Sequence, residues 1–390
     1  MKNDKLHVLI IPSWYPEHQG DYVGSFFREQ ALGIRGQNCK VGIIYPELKS
    51  LRTLKFRFIP RLINHDDNGV ITYKILWSNW FIKLKSLQIN VFKKMGYLLF
   101  KKYVEENGTP DVIHAQSIFN AGFLAEYIFD KYKIPYIITE HNSGFYYKNQ
   151  GFEKFYKQAV EVINKSKNCF AVSANYSKYL NKELKSNKKW KVHHNIVDNS
   201  FLSCKINLPI QDKFIFLCVS RLHKIKNIDL IIKSFKKFNL KYSNSELRII
   251  GVGTELKNLK QLTKEIQIDK KVQFLGKKLR SDIAHEYNSC HSFIYASSFE
   301  TFGVIFVEAM ALGRPIISLN CGSSDEIITD KTGILVKNKS VEDMSKAMIY
   351  LFENYSNYDP LKIRNYCKSL FSEKRLSIKM INHYKNVLDK

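Results

Sequence analysis

Short apolar runs alternate with helical stretches twice over in this 390-residue chain, and that rhythm admits few folds. In the first series the strand-length runs are Leu6–Ile11, Cys39–Tyr45, Val112–His114, Tyr136–Thr139, Asn168–Val172 and Lys191–His193. Helical spacing marks Ser25–Arg35, a basic stretch near 80–105, Asn120–Tyr132, Phe152–Lys165 and Ala174–Leu184. Periodicity lapses over Asn199–Lys213, where Pro209 and mixed polarity read as a linker. The pattern then restarts, with strands at Phe214–Val219, Glu246–Gly251, Val272–Leu275, Ser292–Tyr295, Pro315–Leu319 and Gly333–Val336. Helices fall between them at Lys226–Asn239, Glu255–Gln267, Asp282–Ser289 and Val304–Leu312, the last stopped by Gly313 and Pro315. Strands alternating with helices make parallel sheets covered on both faces. The expectation is an α/β protein of two Rossmann-like, doubly wound domains, 1–198 and 213–368, joined by a linker at 199–212. Ligands of such sheets bind beyond the carboxyl ends of the strands, so a central cleft faced by both domains is the expected site.

Composition narrows the function classes. Hydrophobic residues at 45% and charged residues at 25% are ordinary for a globular protein. No apolar run reaches the length of a membrane span, and the start M-K-N-D-K-L-H-V-L-I-I-P reads as a first strand, too short in its apolar core for a signal peptide. The seven cysteines lie far apart without a C-x-x-C, which fits buried free thiols in a reducing cytoplasm and argues against a metal site. Net charge is +25. From Leu48 to Val104 there are twelve Lys/Arg and only two acids, with Phe56, Phe58, Trp77, Trp80, Phe81, Phe92, Tyr97 and Phe100 among them. Apolar positions from Trp77 to Leu99 follow helical spacing, with Lys83, Lys85, Lys93 and Lys94 between them. Two readings of residues 48–104 stand side by side: a basic amphipathic helix on an anionic membrane surface, and a solvated helix face over a core. Nucleic acid is the weaker third, since no nucleic-acid motif accompanies the charge.

The chemistry concentrates in S-S-F-E-T-F-G-V-I-F-V-E-A-M-A-L-G-R-P-I-I, where Glu300 and Glu308 stand eight residues apart. Carboxylates accept hydrogen bonds from sugar hydroxyls, and the helix start between these two attracts phosphate through free N–H groups and the macrodipole. At helical rise the separation is roughly 12 Å, comparable to a nucleotide sugar from sugar to ribose. Arg221 and Lys226 lie just past the strand Phe214–Val219, five residues apart, as a bidentate fork and a point charge for a diphosphate. Gly20 and Gly24 precede the first helix, where backbone can approach a ligand or simply turn. His141 follows the strand Tyr136–Thr139; it bonds a sugar hydroxyl, orients a reacting group, or packs. His114 is a weaker case of the same kind. Gly251 and Gly253 lack the third glycine of a dinucleotide fingerprint and read as a turn. His193–His194 and Asp66–Asp67 lack metal-ligand spacing, and there is no G-x-S-x-G elbow.

The frame S-x-x-E-x-F-G-x-x-x-x-E-A-M-A-x-G-x-P-I-I at Ser297–Ile317 and S-R-L-x-x-x-K at Ser220–Lys226 resemble the signatures of the family 4, group 1 retaining glycosyltransferases of the GT-B fold. Weaker echoes are the glycine loop before Phe26, P-D-V-I-H at Pro110–His114 and N-I-V-D at Asn195–Asp198. Asn227 departs from the pattern, in which a glycine commonly follows the lysine. The resemblance implies that Glu300 bonds hydroxyls of the transferred sugar and Glu308 the donor ribose. It implies that Arg221, Lys226 and the backbone N–H groups around Phe302, Gly303 and Val304 neutralise the departing diphosphate. Gly24 would let the first-domain loop close on the phosphates, His141 would lie beside the transferred sugar, and residues 369–390 would cross back to the first domain. No metal or other cofactor is implied. The expected protein is a cytoplasmic hexosyltransferase, peripheral on the inner face of the membrane, that uses a UDP- or GDP-sugar. Its acceptor would be a glycan, lipid-carrier-linked, in bacterial surface polysaccharide assembly (capsule, O-antigen or exopolysaccharide). A GT-B-fold epimerase or phosphorylase, and a non-catalytic sugar-nucleotide-binding protein, are the alternatives; nucleic acid is not an expected partner.

Overall fold

A computed structural model of the chain describes residues 5–16, 20–21, 23–50, 59–79, 84–147, 153–209 and 212–389. It divides into two compact units. The first comprises Met1–Gln19, Val23–Ile196 and Glu373–Lys390; the second comprises Gly20–Tyr22 and Val197–Ser372. Each unit carries one sheet, the two-domain α/β plan of the GT-B fold.

The first sheet contains β1 (His7–Pro12), β2 (Lys40–Ser50), β3 (Arg61–Asp67), β4 (Val70–Asn79), β5 (Val112–Gln116), β6 (Tyr136–Glu140), β7 (Asn168–Ala171) and β8 (Trp190–Val192). Its order is β3-β4-β2-β1-β5-β6-β7-β8, parallel except for β3. β1, β5 and β6 are buried along their whole length, which is why their sequences run apolar without alternation. The second sheet contains β9 (Phe214–Val219), β10 (Ser245–Ile250), β11 (Val272–Gly276), β12 (Ser292–Tyr295), β13 (Ile316–Leu319) and β14 (Gly333–Val336). Its order β11-β10-β9-β12-β13-β14 is parallel throughout. The chain order reverses between β9 and β12, which places the loops after those two strands at the switch point where ligands of such sheets bind.

The basic stretch is the main departure from expectation. Asn68 (φ 55°) and Gly69 (φ 86°) form a left-handed pair that folds β3 back on β4, the pairing that Asn-Gly favours in a two-residue hairpin. β4 then pairs with β2 over ten positions, from Val41↔Val70 to Ser50↔Asn79. Trp77 therefore sits in a strand, and the helix begins only at Lys85, running to Asn107. Its buried face, including Ile89, Phe92, Leu99, Phe100 and Tyr103, belongs to the core. Phe92 and Phe100 are thus not surface anchors. Phe56, Phe58, Trp80, Phe81 and Lys83 lie outside the described residues. Among the described residues, no helix is long and apolar enough to cross a membrane.

Residues 199–209 are no free tether. They begin with the short helix Asn199–Ser203 and are fastened within the second unit, where Asn288 Nδ2 donates to Lys205 O at 2.8 Å and Asn207 N donates to Asn288 Oδ1 at 3.2 Å. The wholly buried Arg314 donates to Cys290 O at 3.2 Å and to Asn207 O. The last helix, Glu373–Leu388, packs in the first unit against Ser25–Arg35, so closely that a Cβ on Gly33 would stand 2.3 Å from Ser377 Oγ. Tyr384 on that helix meets His114 Nδ1 at 2.7 Å, and Thr139 Oγ1 takes the other ring nitrogen at 2.8 Å. Burial pushes His114 down to about 3. It is a packed, neutral histidine.

Candidate active site

In the second unit the structure brings Lys226 and Glu300 together. Lys226 closes a single 3-10 turn, Lys224–Lys226, after β9, and Glu300 lies in the loop after β12. The two side chains form an ion pair in which both are mostly, but not fully, withdrawn from solvent. The same carboxylate oxygen, Oε1, accepts the Tyr295 hydroxyl at 2.6 Å. Glu300 N–H donates to Cys321 O at 2.7 Å, which ties its loop to the one after β13.

Asn227 explains its own departure from glycine. Its φ of 49° is left-handed, a conformation asparagine tolerates better than other side chains. Its Nδ2 donates to Ala296 O at 2.7 Å and to Ser298 Oγ at 2.9 Å. Ser298 N–H returns a bond to Ile225 O at 3.0 Å. The turn carrying Lys226 is thereby laced to the loop carrying Glu300. This also delays the helix, expected from Lys226, until Ile228.

Arg221 is exposed, and its guanidinium makes no ion pair or hydrogen bond among the described residues. Its loop is seated against the one after β10: Leu222 N–H donates to Val252 O at 3.0 Å, and Glu255 N–H to Leu222 O at 2.9 Å. A Cβ on Gly251 would meet Ser220 O at 1.8 Å, and one on Gly253 would meet Leu222 O at 2.2 Å. These glycines permit that close approach, which is more than the turn read from the sequence.

The helix Val304–Ala311 starts from Gly303, whose φ of 77° and near contact with the Phe306 ring suit only glycine. Its first hydrogen bond is Phe306 N–H to Gly303 O at 3.0 Å. The N–H groups of Val304 and Ile305 therefore precede the ladder at the positive end of the dipole. Phe302 is buried, with its carbonyl taken by Ser323 Oγ at 2.7 Å. Helical rise applies only from Val304 onward, because Glu300 and Gly303 lie in the loop.

Glu308, one turn in, faces two residues that sequence reasoning gave no role. Arg280 Nη2 lies 3.3 Å from Glu308 Oε1, and Nη1 lies 3.2 Å from Asp198 Oδ2. The guanidinium also sits over the Phe201 ring at 5.5 Å. Burial raises the Glu308 carboxyl to about 7, with Arg280 pulling it down and Asp198 pushing it up.

In the first unit the residues around His141 form a separate set. Phe26 stacks on the His141 ring at 5.0 Å and Phe27 meets it edge-on at 4.8 Å. Both phenylalanines follow Gly24, whose φ of 73° starts their helix and whose missing Cβ would stand 2.9 Å from the Trp14 ring. Glu17–Gln19 and Tyr22, around Gly20, lie outside the described residues. His141 Nε2 lies 2.7 Å from Gln116 Oε1, and Gln116 in turn donates to Gln30. A carbonyl oxygen only accepts, so Nε2 carries the proton. Burial holds the imidazole well below its usual range. Beside it, the fully buried Glu140 accepts backbone N–H groups from Ile118 at 2.8 Å, His141 at 2.8 Å and Asn142 at 2.7 Å. Burial raises its pKa against the pull of those donors. Glu140 went unremarked in the sequence, although T-E-H puts it directly before His141.

Two family descriptions cover most of this frame: Glycosyltransferase Family 4 over residues 24–201, and Glycosyl transferases group 1 over residues 203–369. The chain belongs to the family 4 glycosyltransferases. The alpha-monoglucosyldiacylglycerol synthase of Acholeplasma laidlawii is 26% identical over 301 residues, covering 70% of this chain and 74% of that protein. An uncharacterized glycosyltransferase of Haemophilus influenzae is 29% identical over 174 residues, 44% of this chain and 48% of that protein. Among solved structures, sucrose-phosphate synthase from Thermosynechococcus elongatus superposes with a TM-score of 0.79 at 16% identity, covering 98% of this chain and 99% of that one. That likeness is one of fold. The glycosyltransferase signature falls on the loops after β9 and β12, at the switch point of the second sheet.

Proposed function

We propose that this glycosyltransferase moves a hexosyl residue from a UDP- or GDP-sugar to a glycan carried on a membrane lipid, with retained configuration, in bacterial surface polysaccharide assembly. The observation that carries the donor half is the Lys226–Glu300 pair, a cation suited to a diphosphate held beside a carboxylate suited to sugar hydroxyls. Arg221, exposed on the neighbouring loop, is a second phosphate ligand, and the Val304 and Ile305 N–H groups add a helix terminus. Glu308 takes the ribose.

In the reaction proposed, the bond from the sugar C1 to the leaving phosphate oxygen breaks as the acceptor hydroxyl oxygen bonds to C1 from the same face. The hydroxyl proton passes to the departing phosphate oxygen. Arg221, Lys226 and the helix terminus stabilise the charge developing on that diphosphate, so the step calls for no metal. Glu300 and Glu308 position and do not exchange protons.

The membrane half draws on the net charge of +25 and on the likeness to the Acholeplasma alpha-monoglucosyldiacylglycerol synthase. It also draws on the helix Lys85–Asn107, which exposes Leu87 and Leu98 beside Lys94 and Lys101, with Leu84 exposed just ahead of it.

A thermal-shift panel of UDP-glucose, GDP-mannose and ADP-glucose tests the donor. The matching nucleotide sugar at 100 times its Kd adds about 2.7 kcal/mol of stability and raises Tm, while the other bases shift it less. Three flat traces would contradict the reading.

A further inference from the structure

Among the described residues, the Glu300 carboxylate is held through one oxygen. Oε1 accepts the Tyr295 hydroxyl at 2.6 Å and pairs with the Lys226 ammonium, whereas Oε2 makes no hydrogen bond among the described residues. The two holders differ in kind. Lys226 is a long, flexible side chain on a single 3-10 turn, and it also touches Ser297 Oγ at 3.5 Å. Tyr295 ends β12, is 2% exposed, and has its ring set between Phe293 at 6.0 Å and the edge of Phe306 at 5.5 Å. Its hydroxyl has no hydrogen-bond partner among the described residues other than Glu300. A diphosphate competes with Glu300 for Lys226, since an ammonium offers three donors and follows the stronger anion. It has no claim on Tyr295.

We propose that Tyr295 is a positioning residue for the donor sugar: it keeps Glu300 turned with Oε2 outward when Lys226 swings to the diphosphate. The inference rests on the donor reading above, in which Lys226 meets phosphate and Glu300 meets sugar. It assigns Tyr295 a part in recognising the sugar and none in recognising the nucleoside diphosphate. The strand-end hydroxyl thus separates two functions that the ion pair by itself would couple. Burial raises the Tyr295 pKa well above its ordinary value, with the adjacent Glu300 adding to the rise, so the group remains a donor at every working pH.

Tyr295→Phe removes one oxygen and keeps the ring. The full chain, Tyr295→Phe, Glu300→Ala and the double variant are assayed for turnover of UDP-glucose and GDP-mannose, and titrated with UDP and GDP. Loss of a hydrogen bond to a charged group predicts a fall in kcat/KM of about 10- to 100-fold for Tyr295→Phe. Affinity for the nucleoside diphosphate stays within about twofold, and Tyr295→Phe costs nothing further in the Glu300→Ala background, where the acceptor is gone. Unchanged kcat/KM overturns the inference, as does an equal loss of diphosphate affinity or a full additional loss in the double variant. Turnover of neither sugar by the wild-type chain overturns the donor reading first, and the inference with it.

Discussion

Two glutamates sit at or beyond strand ends, one in each unit, and their surroundings make opposite things of them. Glu140 closes β6, is fully buried, and spends its oxygens on three backbone N–H groups of its own loop and of Ile118. Glu300 lies beyond β12, is partly open, and has one oxygen shared by Tyr295 and Lys226 with the other unengaged among the described residues. A carboxylate satisfied by fixed backbone donors is scaffold, because removing it strands groups that cannot find water. A carboxylate paired with a mobile cation and carrying an unengaged oxygen is poised to exchange partners. The same contrast runs through the neighbours: His141 is neutral and linked to Gln116, whereas Arg221 is charged and exposed.

Substitution should separate the two glutamates. Glu140→Ala leaves three buried donors without an acceptor, and a loss of about 3 kcal/mol or more is expected. Urea denaturation of the full chain would show it as a lowered midpoint. Glu300→Ala leaves the buried Tyr295 hydroxyl without its acceptor but strands no backbone donor, so a smaller loss of about 1–2 kcal/mol is expected. Equal destabilisation by the two would break the comparison.

A smaller effect belongs to Glu308, which shares Glu140's burial but faces Arg280 instead of backbone donors. Its carboxyl is raised to about 7, so it is mostly protonated at pH 6 and mostly a carboxylate at pH 8. If, as proposed, ribose hydroxyls donate to the carboxylate, donor affinity should rise with pH by roughly tenfold across that interval. Titration of the matching nucleoside diphosphate at several pH values measures it, and Glu308→Gln should flatten the profile. The stability linkage runs the other way. With a folded pKa above the ordinary 4.5, this group's contribution is full below that value and is lost as pH rises through about 7.

Much of this was legible in the chain. The helices Ser25–Arg35 and Ala174–Leu184 and the strands Ser292–Tyr295 and Gly333–Val336 have the bounds their spacing predicts, because apolar periodicity and glycine stops are local signals. The β3–β4 hairpin escaped, although Asn68-Gly69 is a strong turn pair, because aromatic and lysine spacing from Trp77 mimics a helix. In the site, residue types were readable and partnerships were not. Arg280 with Glu308 joins two helices and Asn227 with Ala296 joins loops of different strands, while Tyr295 meets Glu300 across the turn that follows β12; no spacing rule encodes such pairings. Asn227 did leave a trace, as an asparagine where a left-handed residue is wanted.

The central claim is that Lys226 and Glu300 hold the two ends of a transferable sugar phosphate. The most direct measurement is release of nucleoside diphosphate and transfer to acceptor by Lys226→Ala and Glu300→Ala, using the donor that most stabilises the wild-type chain. The account predicts that both variants fold and that turnover falls by about 100-fold or more in each. Wild-type turnover by both variants would contradict it.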